Sequence, residues 1–251
     1  MPGDLTQPHD YRALLQACPD LTIVGGQAVN VWAITYLDPD HSRPAGFGSY
    51  DLDVLARAKV AEIIAALPGW RHEKTPLWAF TDSRVLKLVS QAEDGRTLVV
   101  EVLNGVFGLD REDLEAVVQI EQDGVTYRLL DPVAMLKAKA ANVREIDQNG
   151  PPPRQDRAHL QIIAQCVSHF LRDAHQQAVE NGNLRDAFSK TLSRTFKTLT
   201  HRATLTILLQ EGLRPVQLVP AELRDSPIEK VRTACQHQLP RLESVSRAGL
   251  S

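Results

Sequence analysis

Cysteine is scarce in this 251-residue chain: Cys18, Cys166 and Cys235 are the full set, and no two form a Cys-x-x-Cys pair. That excludes a disulfide scaffold and a zinc ribbon. The eight histidines show no His-x-x-x-His or His-x-x-Glu spacing, so they read as ordinary polar positions rather than metal ligands. No apolar run approaches the roughly 18 residues that a membrane span needs. The N-terminus, MPGDLTQPHDYRALL, has no basic segment followed by an apolar one, so no secretory signal is read. Internal repeats and low-complexity tracts are missing as well. What is present is globular in balance, with 43% hydrophobic and 24% charged residues, which excludes wholesale disorder. The expectation is a soluble, cytoplasmic protein of one large domain or two modest ones.

The net charge of -3 conceals an asymmetry. Residues 1–153 sum to −8 and residues 154–251 to +5. An acidic half joined to a basic half suggests two tasks, although a solvated basic helix surface gives the same count. The boundary is expected at Asn149-Gly150-Pro151-Pro152-Pro153, because Asn-Gly followed by three prolines cannot continue a helix. The domains read as 1–150 and 151–251, and the fold class as α+β, a mixed sheet followed by helices. In the first half, strands are expected at 21–24, 50–55, 77–80, 85–90 and 97–103. Helices are expected at 27–37, 58–67 and 110–118, with a loop over 38–49. Hairpin turns are expected at Glu93-Asp94-Gly95 and Asp123-Gly124. Asp131-Pro132 should open a helix, Asp as N-cap and Pro at the first position. In the second half, Ile162, Ile163, Cys166, Val167, Phe170 and Leu171 repeat at the helix period. Further helices are expected near 184–199, 203–211 and 228–239, with a frayed C-terminus.

Three segments carry the chemistry together. Val24-Gly25-Gly26-Gln27 runs from a strand through two glycines into a helix, where the backbone can approach an anion closely. Alone, Gly-Gly is more often a tight turn. In Ser49-Tyr50-Asp51-Leu52-Asp53-Val54-Leu55, residues two apart on a strand share a face, so Asp51 and Asp53 project side by side. Their mutual repulsion is relieved by a divalent cation, and oxygen ligands suit Mg²⁺ or Mn²⁺. Two solvated acids at a strand edge would read the same. Glu101 is a lone carboxylate inside Val99-Val100-Glu101-Val102-Leu103, where a buried strand does not ordinarily place one. A solvent-facing position on a half-exposed strand is the plain alternative. Jointly, the three acids fit a two-metal site that activates a hydroxyl and neutralises a nucleoside triphosphate, with Gly25 and Gly26 holding phosphates.

At this point the chain resembles the nucleotidyltransferase superfold related to DNA polymerase beta. That family's order is a hydrophobic residue with Gly-Gly, a helix, Asp-x-Asp, then a third acid on a later strand. The stretches IVGGQAVNVWAITYL and SYDLDVL are most similar to small prokaryotic nucleotidyltransferases, including the AbiEii-like abortive-infection toxins. The resemblance covers roughly residues 20–165. It implies a catalytic and metal-binding triad of Asp51, Asp53 and Glu101. It also implies a nucleotide-binding set of Gly25, Gly26, Ser49, Lys137, Lys139 and Asp156. The chain departs from the pattern in four places. The interval from Gly26 to Asp51 is long; the third acid is Glu; the late motif reads Arg154-Gln155-Asp156 without Lys-Asp; and Val24 stands where the toxins often have Lys.

Lys137 and Lys139 lie two apart on one helix and cannot share a face, so at most one points at the site. Trp32 and Trp78 read as core. Arg185, Lys190, Arg194, Lys197 and Arg202 could form a basic stripe toward a phosphate backbone, or a solvated face. The expected activity is transfer of a nucleoside monophosphate from an NTP such as ATP, with Mg²⁺ or Mn²⁺. The expected acceptor is tRNA, other RNA or a protein, in a toxin–antitoxin or abortive-infection setting, with an antitoxin protein as a possible partner and no membrane. The alternatives are a binding module of the same fold without turnover, and an aminoglycoside-type small-molecule enzyme.

Overall fold

The computed structural model describes residues 5–37, 48–56, 58–73, 84–122, 124–149, 154–182 and 186–248. The expected strand at 77–80, Trp78, Arg185, most of the 38–49 loop and the Gly150–Pro153 break lie outside them.

A mixed seven-stranded sheet forms the first half. Its strands are β1 (Thr22–Ile23), β2 (Leu52–Leu55), β3 (Arg71–His72), β4 (Arg84–Gln91), β5 (Thr97–Leu103), β6 (Val117–Gln122) and β7 (Val125–Leu130). Their order is β3-β4-β5-β2-β1-β7-β6. The central pair, β2 and β5, runs parallel, whereas β1 and β2 are antiparallel and β1 and β7 parallel. Strand β5 shows why the sequence folds this way. Leu98, Val100 and Val102 are buried, while Val99, Glu101 and Leu103 between them are only half-buried. That alternation is the signature of one packed face and one open face. In β2, Leu52 and Val54 point into the core, leaving Asp53 on the open face with Glu101.

The helices are α1 (Arg12–Ala17), α2 (Gly25–Tyr36), α3 (Ala58–Ala66), α4 (Arg111–Leu114), α5 (Pro132–Glu145), α6 (Asp156–Glu180), α7 (Ala187–Thr200), α8 (Arg202–Gln210) and α9 (Glu229–Ala248). Helix α5 opens as its sequence requires: the Asp131 carboxylate accepts from the Ala134 N–H at 2.9 Å, and Pro132 occupies the first turn. Helix α2 packs on β2 and against α5 and α6. Trp32 at its centre is 1% exposed and donates Nε1–H to the Leu130 carbonyl at 2.9 Å. One continuous hydrophobic cluster runs from Tyr11 through α2, β5 and α5 to Leu242 in α9. At about 25 cal/mol per Å² of apolar surface, burial of this kind is the dominant stabilising term.

The expected α+β class, a mixed sheet followed by a helical region, is the class observed. Several boundaries differ. Helix α2 starts at the two glycines themselves rather than at Gln27. Helix α4 ends at Leu114, because Val117–Gln122 is strand β6, paired antiparallel with β7. Asp51 precedes β2 instead of lying within it. The two-residue strand β3 has no periodicity to announce it. Helix α9 continues through Ser246-Arg247-Ala248, the first half of the C-terminal segment expected to fray; residues 249–251 lie outside the described residues.

Candidate active site

The parallel register of β2 and β5 places Asp53 directly opposite Glu101. Asp51 reaches the same place from just before β2. One carboxylate oxygen from each of Asp51, Asp53 and Glu101 lies within 4.8 Å of the others, and all three residues are half-buried. The pattern of three acids thus converges in space.

The two glycines are fixed by what packs over them. Gly25 takes φ +65, a left-handed value favouring glycine, and an added Cβ would lie 2.8 Å from Cγ of Asp53. At Gly26 a Cβ would lie 2.5 Å from Oγ of Ser49 and 3.0 Å from Cε1 of His159. Any side chain here would push the acid or the serine aside. The N–H groups of the first turn of α2 have no acceptor within the helix, and they begin beside the carboxylates.

Ser49 donates Oγ–H to Oδ1 of Asp51 at 3.2 Å. Its own backbone is held by Thr6: the Thr6 N–H donates to the Ser49 carbonyl at 2.7 Å, and the Ser49 N–H donates back at 3.1 Å. Gln27, buried in α2, in turn donates Nε2–H to the Thr6 carbonyl at 3.0 Å and to Thr6 Oγ1 at 2.9 Å. A segment near the N-terminus thereby sets the position of the first acid.

Lys139 and Lys137 point to different clusters, as their two-residue spacing requires. Lys139, 5% exposed, donates to Oδ1 of Asp156 at 2.8 Å; Arg154 donates to Oδ2 at 2.6 Å and Asn142 to Oδ1 at 3.2 Å. Lys139 and Arg154 both lie close enough to Asp51 and Asp53 to favour their charged forms. Lys137 instead pairs with Asp113 at 2.5 Å and Asp110 at 3.1 Å.

The electrostatics around Asp51 and Asp53 oppose ionisation. Burial raises Asp51 above the ordinary carboxylate range, and the Glu101 charge adds to the rise. Asp53 is raised further, by burial first and then by Asp51 and Glu101. Asp156 goes the other way: burial pushes it up, but the Lys139 charge and the hydrogen bonds from Lys139 and Arg154 outweigh that and hold it low. His159, on α6 three residues past Asp156, is 5% exposed. Burial and then Lys139 push its imidazole down to about 3, so it is neutral at pH 7. Its Nε2 has no hydrogen-bond partner among the described residues. On Glu101, Oε1 accepts from Nη1 of Arg84 at 2.5 Å.

Several of these residues escaped the sequence reading. His159 could have been found from its helical spacing to Asp156. Arg84, Asn142 and Thr6 carry no motif, and Gln27, which closes the glycine motif, gives no sign in the sequence of its hydrogen bonds to Thr6. Of the two readings of the basic positions on α7, the continuous stripe is broken at Arg194 and Lys197. Arg194 is buried and ion-paired with Asp131, and Lys197 pairs with Glu112 at 3.3 Å, because α7 docks these side chains on the acidic start of α4 and α5.

The donor set fits a hard divalent cation. Three half-buried carboxylates converge; Glu101 has Arg84 as counter-charge, while Lys139 and Arg154 are committed to Asp156.

No protein-family model and no curated protein matches the sequence. Among solved structures the chain is similar to an antigenic nucleotidyltransferase-like protein from Paracoccidioides brasiliensis, at 14% identity over 65% of this chain and 78% of that one, with a TM-score of 0.41. It is also similar to the Megavirus polyadenylate synthase, at 8% identity over 91% of this chain and 50% of that one, with a TM-score of 0.39. No described helix is long and apolar enough to cross a membrane.

Proposed function

We propose that this chain is a metal-dependent nucleotidyltransferase, moving a nucleoside monophosphate from an NTP to an acceptor. The observation that carries the reading is the meeting of Asp51, Asp53 and Glu101 within 4.8 Å, beside a helix start that tolerates only glycine. Asp51, Asp53 and Glu101 would hold Mg²⁺ or Mn²⁺, which when bound neutralises triphosphate charge and makes an acceptor hydroxyl easier to deprotonate. Gly25 and Gly26 offer backbone N–H groups to the phosphates. Lys139 and Arg154, tied to Asp156, hold positive charge beside the acids. Ser49 orients the Asp51 carboxylate. Lys137, engaged with Asp110 and Asp113, supports the fold instead.

The acceptor we favour is RNA, tRNA included. Residues 154–251 carry net +5, and Lys190, Arg202, Arg214 and Arg241 are exposed there, although Arg194 and Lys197 are spent on ion pairs. A protein acceptor would fit the toxin–antitoxin setting that the AbiEii-like resemblance implies. The test is incubation with each α-labelled NTP, Mg²⁺ or Mn²⁺, and total RNA, with Asp51→Ala/Asp53→Ala alongside. Label on RNA with the wild type alone supports the reading; label on protein moves the acceptor to protein. No label on either, with an NTP-dependent melting shift intact, removes both acceptors and favours a small-molecule acceptor or a binding module.

A further inference from the structure

Arg84 reaches Glu101 only because β4 is irregular. From Leu86↔Val102 to Gln91↔Thr97 the β4–β5 ladder is regular, but the next pair is Arg84↔Leu103. One residue, Val85, is bulged out and is 41% exposed. A regular ladder would put Val85 opposite Leu103 and turn Arg84 to the other face of the sheet. The bulge instead puts Arg84 on the face that Leu103 shares with Glu101. Its guanidinium then closes on Glu101 at 2.5 Å, with the two side chains 16% and 19% exposed. Lys87 stands directly opposite Glu101, yet its ammonium goes to Glu73 at 2.6 Å. Two cations flank the third acid, and the fold commits one of them to it.

We propose that Arg84 is an exchangeable counterion of the nucleotide site. It neutralises Glu101 while no divalent cation is bound, and it leaves Glu101 for the triphosphate when Glu101 joins Asp51 and Asp53 around one. The inference rests on the metal-site reading above and adds a role for a residue outside the acid triad. The reasoning is charge balance at short range. A guanidinium on Glu101 and a dication on the same three carboxylates are like charges competing for one ligand set. A displaced guanidinium beside a triphosphate has a planar donor fork suited to phosphate oxygens. Lys87 is not placed to do this, because Glu73 already holds it.

The experiment uses the full chain and two probes. Mn²⁺ binding without nucleotide is followed by the electron paramagnetic resonance of the free ion. Inorganic triphosphate binding is then followed calorimetrically at saturating Mn²⁺. Arg84→Met is expected to bind Mn²⁺ about five-fold more tightly and triphosphate at least about five-fold more weakly. Lys87→Met removes a charge from the same strand and should change either by less than about two-fold. Arg84→Lys, which keeps the charge and loses the fork, should leave Mn²⁺ affinity near wild type and weaken triphosphate. A purely structural role would not move the two affinities in opposite directions. Equal tightening by Arg84→Met and Lys87→Met would reduce the effect to bulk charge and overturn the proposal. So would unchanged triphosphate binding in Arg84→Met, or weaker Mn²⁺ binding. Wild type that binds no Mn²⁺ would overturn the metal-site reading itself, a result distinct from Arg84 variants that match a wild type that does bind.

Discussion

Asp53→Asn should stabilise the metal-free protein, because the acid cluster is held together against its own repulsion. At 4.8 Å and an effective dielectric near 20, two carboxylates repel by about 3.5 kcal/mol. Asp53 faces two such neighbours, Asp51 and Glu101, and its burial adds to the cost of ionisation. Arg84, Lys139 and Arg154 return part of this. Loss of a negative charge near the start of α2 costs the variant about 0.3–1 kcal/mol. A net gain of about 1–3 kcal/mol at pH 7 remains, or a rise in Tm of about 2–4 °C per kcal/mol. The sign follows from linkage. The folded carboxyl titrates above its ordinary 3.8, so its ionised form is penalised in the native state. That penalty is present above the folded pKa and fades as pH falls through it toward 3.8, so the advantage of Asn should fade over the same window. The assay is thermal melting in a chelator and again in Mn²⁺. Wild type should gain Tm with the ion and the variant little. An Asn variant no more stable than wild type in chelator, or one stabilised equally by the ion, would refute the reasoning.

Three further outcomes are expected. Gly26→Ala should abolish transfer while the chain still folds, since its Cβ would displace the Ser49 hydroxyl from Asp51; activity comparable to wild type would contradict the cradle. Lys139→Met and Lys137→Met should both lose stability, each leaving a buried aspartate short of a counterion at about 3 kcal/mol or less. Only Lys139→Met should also lose NTP-dependent labelling, and equal activity losses would put Lys137 in the site. His159→Asn should flatten the acid limb of stability. The native imidazole is depressed to about 3 against roughly 6.5 unfolded, so its contribution is full above 6.5 and is lost as pH falls through that interval, at up to about 1.4 kcal/mol per pH unit. Urea midpoints of variant and wild type that stay parallel between pH 7 and 4 would contradict a buried neutral His159.

What the sequence made legible was whatever depends on alternation. The i, i+2 rule put Asp53 on the open face of β2, and the apolar neighbours of Glu101 marked β5 as a strand with one packed face. Asp131-Pro132 named a helix start because capping chemistry is local. The misses share a different cause. The strand position of Asp51 is one: it meets the other acids as expected, but from just before β2, along a backbone path that pairs Ser49 with Thr6, 43 residues earlier. Periodicity cannot report a pairing of that separation.

Arg84 shows the same limit more sharply, and it bears on how the site is built. Counted by regular alternation from Lys87, position 84 falls on the face opposite Glu101, and Val85 falls on the same face as Lys87. One bulged residue reverses that assignment, so the counterion of the third acid is a property of the ladder rather than of any motif. The late half contributes in the same way. Asp156 and His159 stand one helical turn apart on α6, yet neither has meaning until α6 packs on α2 and α5. Packing on α5 lets Lys139 reach Asp156; packing on α2 sets His159 over Gly26. The acids and glycines come from the first half, but the cations beside them are held by an aspartate from the second. Loosening α6 from α5 should therefore scatter positive charge away from Asp51 and Asp53 even with every acid in place, which makes the helical half part of the site and not an appendage to it.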